Sequence, residues 1–127
     1  MQEYVASKTL AEQAALQYGK EHELDVVIIN PVMVVGSAIT SNVPYSVQLA
    51  LSPLTSNPEM VKDLKGLQRT CGSVSLVHED DVSSAHIFLM ENPATEGRYI
   101  CSAINISVPQ LANYLSKRYP RYNATVQ

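Results

Sequence analysis

Apolar residues change their spacing several times along the chain, and each change marks an element. Residues 3–18 are rich in Ala, Leu, Glu, Gln and Lys, all good helix formers, which predicts a helix. Gly19 stands where such a helix would stop. Asp25 to Asn30 reads DVVIIN, a β-branched run without alternation. A run apolar on both faces predicts a strand between two layers, as in a parallel sheet, ended by Pro31. Val32 to Val35 is again apolar, broken by Gly36, and Ser37 to Asn42 is a polar loop. Val43 to Leu51 is predicted helical with Pro44 in its first turn. Ser52 to Pro58, with two prolines, is predicted as a turn, and 59–67 as a short helix closed by Gly66.

Ser73 to Val77 alternates polar and apolar residues as a strand does. His78-Glu79-Asp80-Asp81 then opens a helix, since acidic residues suit its positive end. Val82, Ala85, Phe88 and Leu89 would form the buried stripe of that helix. Asn92 to Gly97 is a turn and Arg98 to Ala103 a strand. Ser107 with Gln110 three residues on fits a capping box, so a helix runs from there to about Tyr119, stopped by Pro120. The last seven residues read as a loose tail. Helices alternating with strands argue an α/β fold.

Composition narrows the function classes. At 127 residues the chain is one domain or part of one. A net charge of -3 with nine scattered Lys and Arg argues against a nucleic-acid footprint. No apolar run is long enough to span a membrane, and no basic-then-apolar leader opens the chain, so a cytoplasmic location is expected. Cys71 and Cys101 have no metal or redox spacing and are expected to be free, buried thiols. His78, Asp80, Asp81 and His86 do not make a metal site, because histidines eight apart on one helix cannot both reach one ion; capping and packing fit them better.

The candidate chemistry lies at the N-terminal end. Tyr4 and Lys8 are four apart, so a helix stacks them on one face. An ammonium beside a phenol favours the phenolate, which suits proton transfer near neutral pH. A structural Tyr and a solvated Lys satisfy the same two-letter spacing, so the flanking residues decide. None of the five glycines (19, 36, 66, 72 and 97) forms the Gly-rich turn that brings a dinucleotide pyrophosphate to a helix N-terminus.

Tyr4-x-x-x-Lys8 followed by Thr9-Leu10-Ala11-Glu12 resembles the extended short-chain dehydrogenases/reductases. Asn30-Pro31-Val32-Met33-Val34-Val35-Gly36 resembles their next strand and the segment after it. Ser75 to Val82 and Ala85 to Leu89 resemble the plant dihydroflavonol reductase group. Gly97 to Ala103, Ser107 to Ala112 and Leu115 to Pro120 are most similar to the anthocyanidin reductases within it.

This resemblance implies an enzyme more than twice this length, a Rossmann-like, doubly wound NAD(P)-binding sheet with a small α/β substrate lobe. This chain would be the C-terminal part: residues 1–36 the end of the dinucleotide-binding domain with the catalytic helix, 37–127 mainly the substrate lobe. The implied activity is NADPH-dependent reduction of anthocyanidins to flavan-3-ols. The alternatives are dihydroflavonol 4-reduction at the same site, or a truncated chain without catalysis. By position, Tyr4 would donate the proton and also meet the cofactor, and Lys8 would hold the nicotinamide ribose and tune Tyr4. Pro31 and Val34 would lie beside the nicotinamide and Ser46 near the cofactor phosphates. Val5, Val32 and Tyr45 would face the flavonoid. Two positions depart from the family pattern: Ser37, where Pro is common, and Glu79, where an apolar residue is common.

Overall fold

The computed structural model describes residues 2–38, 41–122 and 124; part of the expected loop after Gly36 and most of the expected tail lie outside them. The order is α1 (Gln2–Glu21), β1 (Ile28–Pro31), β2 (Met33–Val35), α2 (Tyr45–Ala50), α3 (Ser52–Thr55) and α4 (Pro58–Cys71). Then follow β3 (Val74–His78), α5 (Glu79–Glu91), β4 (Arg98–Cys101), β5 (Ile104–Ile106) and α6 (Val108–Arg118). The fold is α/β, as the alternation of elements predicts.

The strands form two small sheets that exchange partners at the same level. β1 pairs with β4 in parallel, Ile28 opposite Arg98 and Pro31 opposite Cys101. One residue later the chain has moved to the second sheet, where β2 pairs in parallel with β3. After Cys101 the chain makes the same shift, and β5 pairs antiparallel with the other edge of β3. Two bonds stitch the crossing: Val32 N–H to the Cys101 carbonyl at 3.1 Å and Ala103 N–H to the Leu76 carbonyl at 3.0 Å. The apolar segments on either side of Pro31 are thus two strands in different sheets, and β1 is half-buried rather than enclosed between layers.

The core lies around the second sheet. Leu49, Leu64, Val74, Leu76, Val108, Leu111 and Leu115 form one buried cluster, with Met33, Val35 and Leu54 packed on its edge. Each such side chain contributes about 1.5–3 kcal/mol by leaving water. α6 owes its start to the capping box: Ser107 Oγ accepts from Gln110 N–H, and Gln110 Oε1 accepts from Ser107 N–H at 2.9 Å. Ala124 also packs on the cluster and its carbonyl accepts from Ser116 Oγ at 3.4 Å, so the segment after Tyr119 is tied down there rather than loose throughout.

Two glycines act differently from their reading as helix stops. α1 runs through Gly19 to Glu21, and the left-handed residue after it is Glu23, at φ 56°. α4 runs through Gly66 and stops at Gly72, whose φ of 82° is the left-handed cap. Ser52–Thr55 forms a helical turn, because Pro53 sits early enough in it to be tolerated. The short strand β5 lacks a pattern long enough to read. The stripe expected on α5 is only partly covered, with Phe88 60% exposed. Cys71 is exposed and Cys101 half-buried, so the free thiols are not core residues.

Gly19 is buried because the chain doubles back on it. A Cβ there would run into Val26 Cγ2 and lie 3.2 Å from the Leu24 carbonyl oxygen. Gly19→Ala is therefore expected to destabilise the chain by roughly 1–3 kcal/mol despite the better helix propensity of Ala. Adding Val26→Ala should restore much of the loss. Denaturant melts of the two variants and their double check this; full stability of Gly19→Ala alone would refute the close approach.

Candidate functional site

The candidate pair sits in the first turns of α1. Helical geometry places Lys8 Nζ over the Tyr4 ring, 5.5 Å from its centroid, a cation–π distance. Both side chains are exposed, Tyr4 at 65%, so phenol and amine share one open face. Val5 stands beside them, also exposed. The helix is tied to the sheet two turns further on. There the Glu12 carboxylate, mostly covered, meets the Arg98 guanidinium through both oxygens, Oε1 with Nε and Oε2 with Nη2. This forked pair fixes α1 against the start of β4.

The remaining candidates fall in or beside β1 and β2 and on α2. Pro31 closes β1 and is exposed; Val32 is the half-buried bend between the sheets; Val34 is half-buried in β2, opposite Val77. Ser46 is half-buried in the first turn of α2. Tyr45 precedes it, and its hydroxyl donates to Asp63 Oδ2 on α4 at 2.9 Å. That bond holds the phenol proton, so the Tyr45 pKa is raised above its ordinary value, with burial and the Asp63 charge adding to it. Tyr45 is thus engaged with α4 rather than free to donate a proton elsewhere.

At the carboxyl ends of β2 and β3 lies a contact that sequence reading registered only as two unusual residues. Ser37 donates to Glu79 Oε1 twice, from its backbone N–H at 3.0 Å and its Oγ–H at 2.8 Å. The hydroxyl and the amide of Ser37 lower the Glu79 pKa below its usual carboxylate value, and His78 adds a smaller effect in the same direction. The carboxylate form is the one favoured, so the contact holds above the ordinary carboxylate range and is lost as pH falls through the lowered value. Proline at 37 could make neither bond, and an apolar residue at 79 could accept neither. Forty-two positions separate the partners, which is why no local pattern joined them.

The histidines play local parts. His78 caps α5, its Nδ1 accepting from Asp80 N–H at 3.2 Å. His86 Nδ1 lies 2.8 Å from the Val82 carbonyl on the same helix, and its ring is exposed rather than packed. Among the described residues no helix is long and apolar enough to cross a membrane.

This arrangement can present a phenol and an amine together to a bound molecule. The chain is 60% identical over 119 residues to a protein of Ginkgo biloba named putative anthocyanidin reductase, which spans 94% of this chain and 35% of the relative. It is 50% identical to an anthocyanidin reductase of Vitis vinifera and 46% identical to a dihydroflavonol 4-reductase of Zea mays, each over 94% of this chain. The chain spans about a third of the length of these relatives. Among solved structures, vestitone reductase from alfalfa superposes with a TM-score of 0.82 at 34% identity, over 98% of this chain and 38% of that one. Residues 1–106 match the NAD dependent epimerase/dehydratase family, and the chain belongs to that family.

Proposed function

We propose that this chain is the catalytic-helix and substrate-lobe portion of an NADPH-dependent flavonoid reductase that converts anthocyanidins to flavan-3-ols. The observation that carries the reading is the Tyr4–Lys8 pair on one exposed helical face. The 60% identity to a protein named for anthocyanidin reduction supports the substrate class. Residues 1–36 would complete the dinucleotide-binding sheet and 37–127 would form most of the substrate lobe. The two parts would share their sheets, since β1 pairs with β4 and β2 with β3.

The residues present fit one end of the cofactor. Lys8 is exposed and long enough to donate to the ribose hydroxyls, and Pro31 closes β1, at the end of a strand where open α/β sheets place ligands, with Val34 inside β2. Ser46 would approach the phosphates from α2. Nothing in this stretch resembles a pyrophosphate cradle, so that end would be held elsewhere in a complete enzyme. The nicotinamide, when bound, would supply hydride; a flavylium cation needs two hydrides and one proton to become a flavan-3-ol, so two cofactor molecules would serve in turn. Tyr4 would hold its hydroxyl against the flavonoid and release the proton that follows reduction. Lys8 would orient the ribose. Val5, Val32 and Tyr45 would line the flavonoid; Tyr45 would do so through its ring, its hydroxyl remaining on Asp63.

Ketone reduction at the same site is the second reading, favoured by the 46% identity to the maize dihydroflavonol reductase. A substrate panel separates the two. A complete enzyme of the family carrying these 127 residues in the corresponding place should turn over cyanidin with NADPH and leave dihydroflavonols largely unreduced. Turnover of dihydroflavonols but not cyanidin would reverse the assignment.

A further inference from the structure

β2 and β3 run parallel with Val35 opposite His78, so both end at the same edge of the sheet. The chain leaves β2 through Gly36 and Ser37, and leaves β3 through Glu79, the first residue of α5. Glu79 Oε1 takes both hydrogen bonds of Ser37. Gly36 leaves room for this: a Cβ there would come within 2.6 Å of Oε2 and 2.7 Å of Cγ of Glu79. Three residues from two segments thus close the gap between the strand ends. Val34 lies just before this joint, and the chain beyond it leads to Tyr45 and Ser46 on α2, which packs back against β2.

We propose that Glu79 and Ser37 are positioning residues: their joint fixes where the chain leaves β2 and thereby how Tyr45, on the helix that packs back against β2, meets a flat polyphenolic substrate. This rests on the flavonoid-reductase reading above. Glu79 acts through Ser37 and does not touch the substrate. A purely local role, a carboxylate serving the positive end of α5, would make Ser37 irrelevant.

The test uses Glu79→Val, Glu79→Gln and Ser37→Ala in a complete family enzyme carrying these residues, with Ser37 amide exchange and steady-state kinetics as readouts. Glu79→Val should speed Ser37 amide exchange roughly tenfold, since a hydrogen bond to a charged acceptor is lost. It should raise KM for the flavonoid by roughly three- to tenfold, with kcat and the KM for NADPH changing less than about twofold. Gln keeps an acceptor oxygen and should stay near the parent, whereas Ser37→Ala should raise KM in the same direction as Val. Unchanged exchange or unchanged KM in Glu79→Val overturns the proposal, as does Gln behaving like Val. If Glu79→Val fails to fold, Ser37→Ala decides by the same KM. Failure of the substrate reading would be distinct: the parent enzyme itself would not reduce flavonoids, while Ser37 exchange would still report on the joint.

Discussion

Tyr4→Phe in a complete family enzyme carrying this segment is expected to lower kcat by roughly 10²- to 10⁴-fold, the range for loss of a positioned proton donor. The structure makes the experiment clean. Tyr4 is 65% exposed, so deleting one oxygen removes no packing, and the melting temperature should hold. The ring stays, and with it the surface over which Lys8 rests. NADPH affinity should therefore change little, because the ribose contact is assigned to Lys8. Lys8→Met should do the opposite in part, weakening NADPH as well as slowing turnover. If Tyr4→Phe keeps kcat within about threefold of the parent, the phenol is structural and the proton comes from water or another residue.

How much of this was visible in the sequence follows from distance along the chain. Tyr4 and Lys8 are one helical turn apart, so helix geometry alone brings them together. Ser107 and Gln110 cap α6 for the same reason, and both bonds of their capping box are formed. Glycines were harder, because a glycine has two opposite uses. Gly72 supplies a left-handed cap, whereas Gly19 supplies an absent Cβ under Val26 in the last turn of α1. Only the chain folding back at Leu24 tells them apart. Pro31 marks the break between two apolar segments, but nothing in those residues shows that they pair in different sheets. Glu12 with Arg98 and Ser37 with Glu79 lie 86 and 42 positions apart, and no periodicity links residues at such separations.

The isolated 127 residues are expected to self-associate at micromolar concentration and to bind NADPH with a Kd at or above roughly 1 mM, about 4 kcal/mol of binding. The first half of this follows from surface. Among the described residues β1 pairs only with β4, so its other edge offers unpaired backbone groups. Beside that sheet the apolar side chains of Phe88 and Met90 on α5 and Ile100 on β4 are 60%, 79% and 81% exposed. Leu10, Leu16 and Tyr18 add a further exposed apolar series along α1. A chain showing this much apolar surface beside an open strand lowers its free energy by covering both, with a second copy if nothing else is offered. The second half follows from what a dinucleotide needs. Lys8 supplies one charge toward the ribose, but a pyrophosphate needs several backbone N–H groups converging at a glycine turn, and the glycines here stand at helix interiors, caps and turns instead. Sedimentation velocity over a concentration series tests the association, and nicotinamide fluorescence tests the binding. A monodisperse monomer with a cooperative melt would mean that the exposed faces are stable alone. Saturable binding at micromolar NADPH would mean that these residues hold the pyrophosphate without a glycine cradle, and the division of labour proposed for residues 1–36 would have to be redrawn.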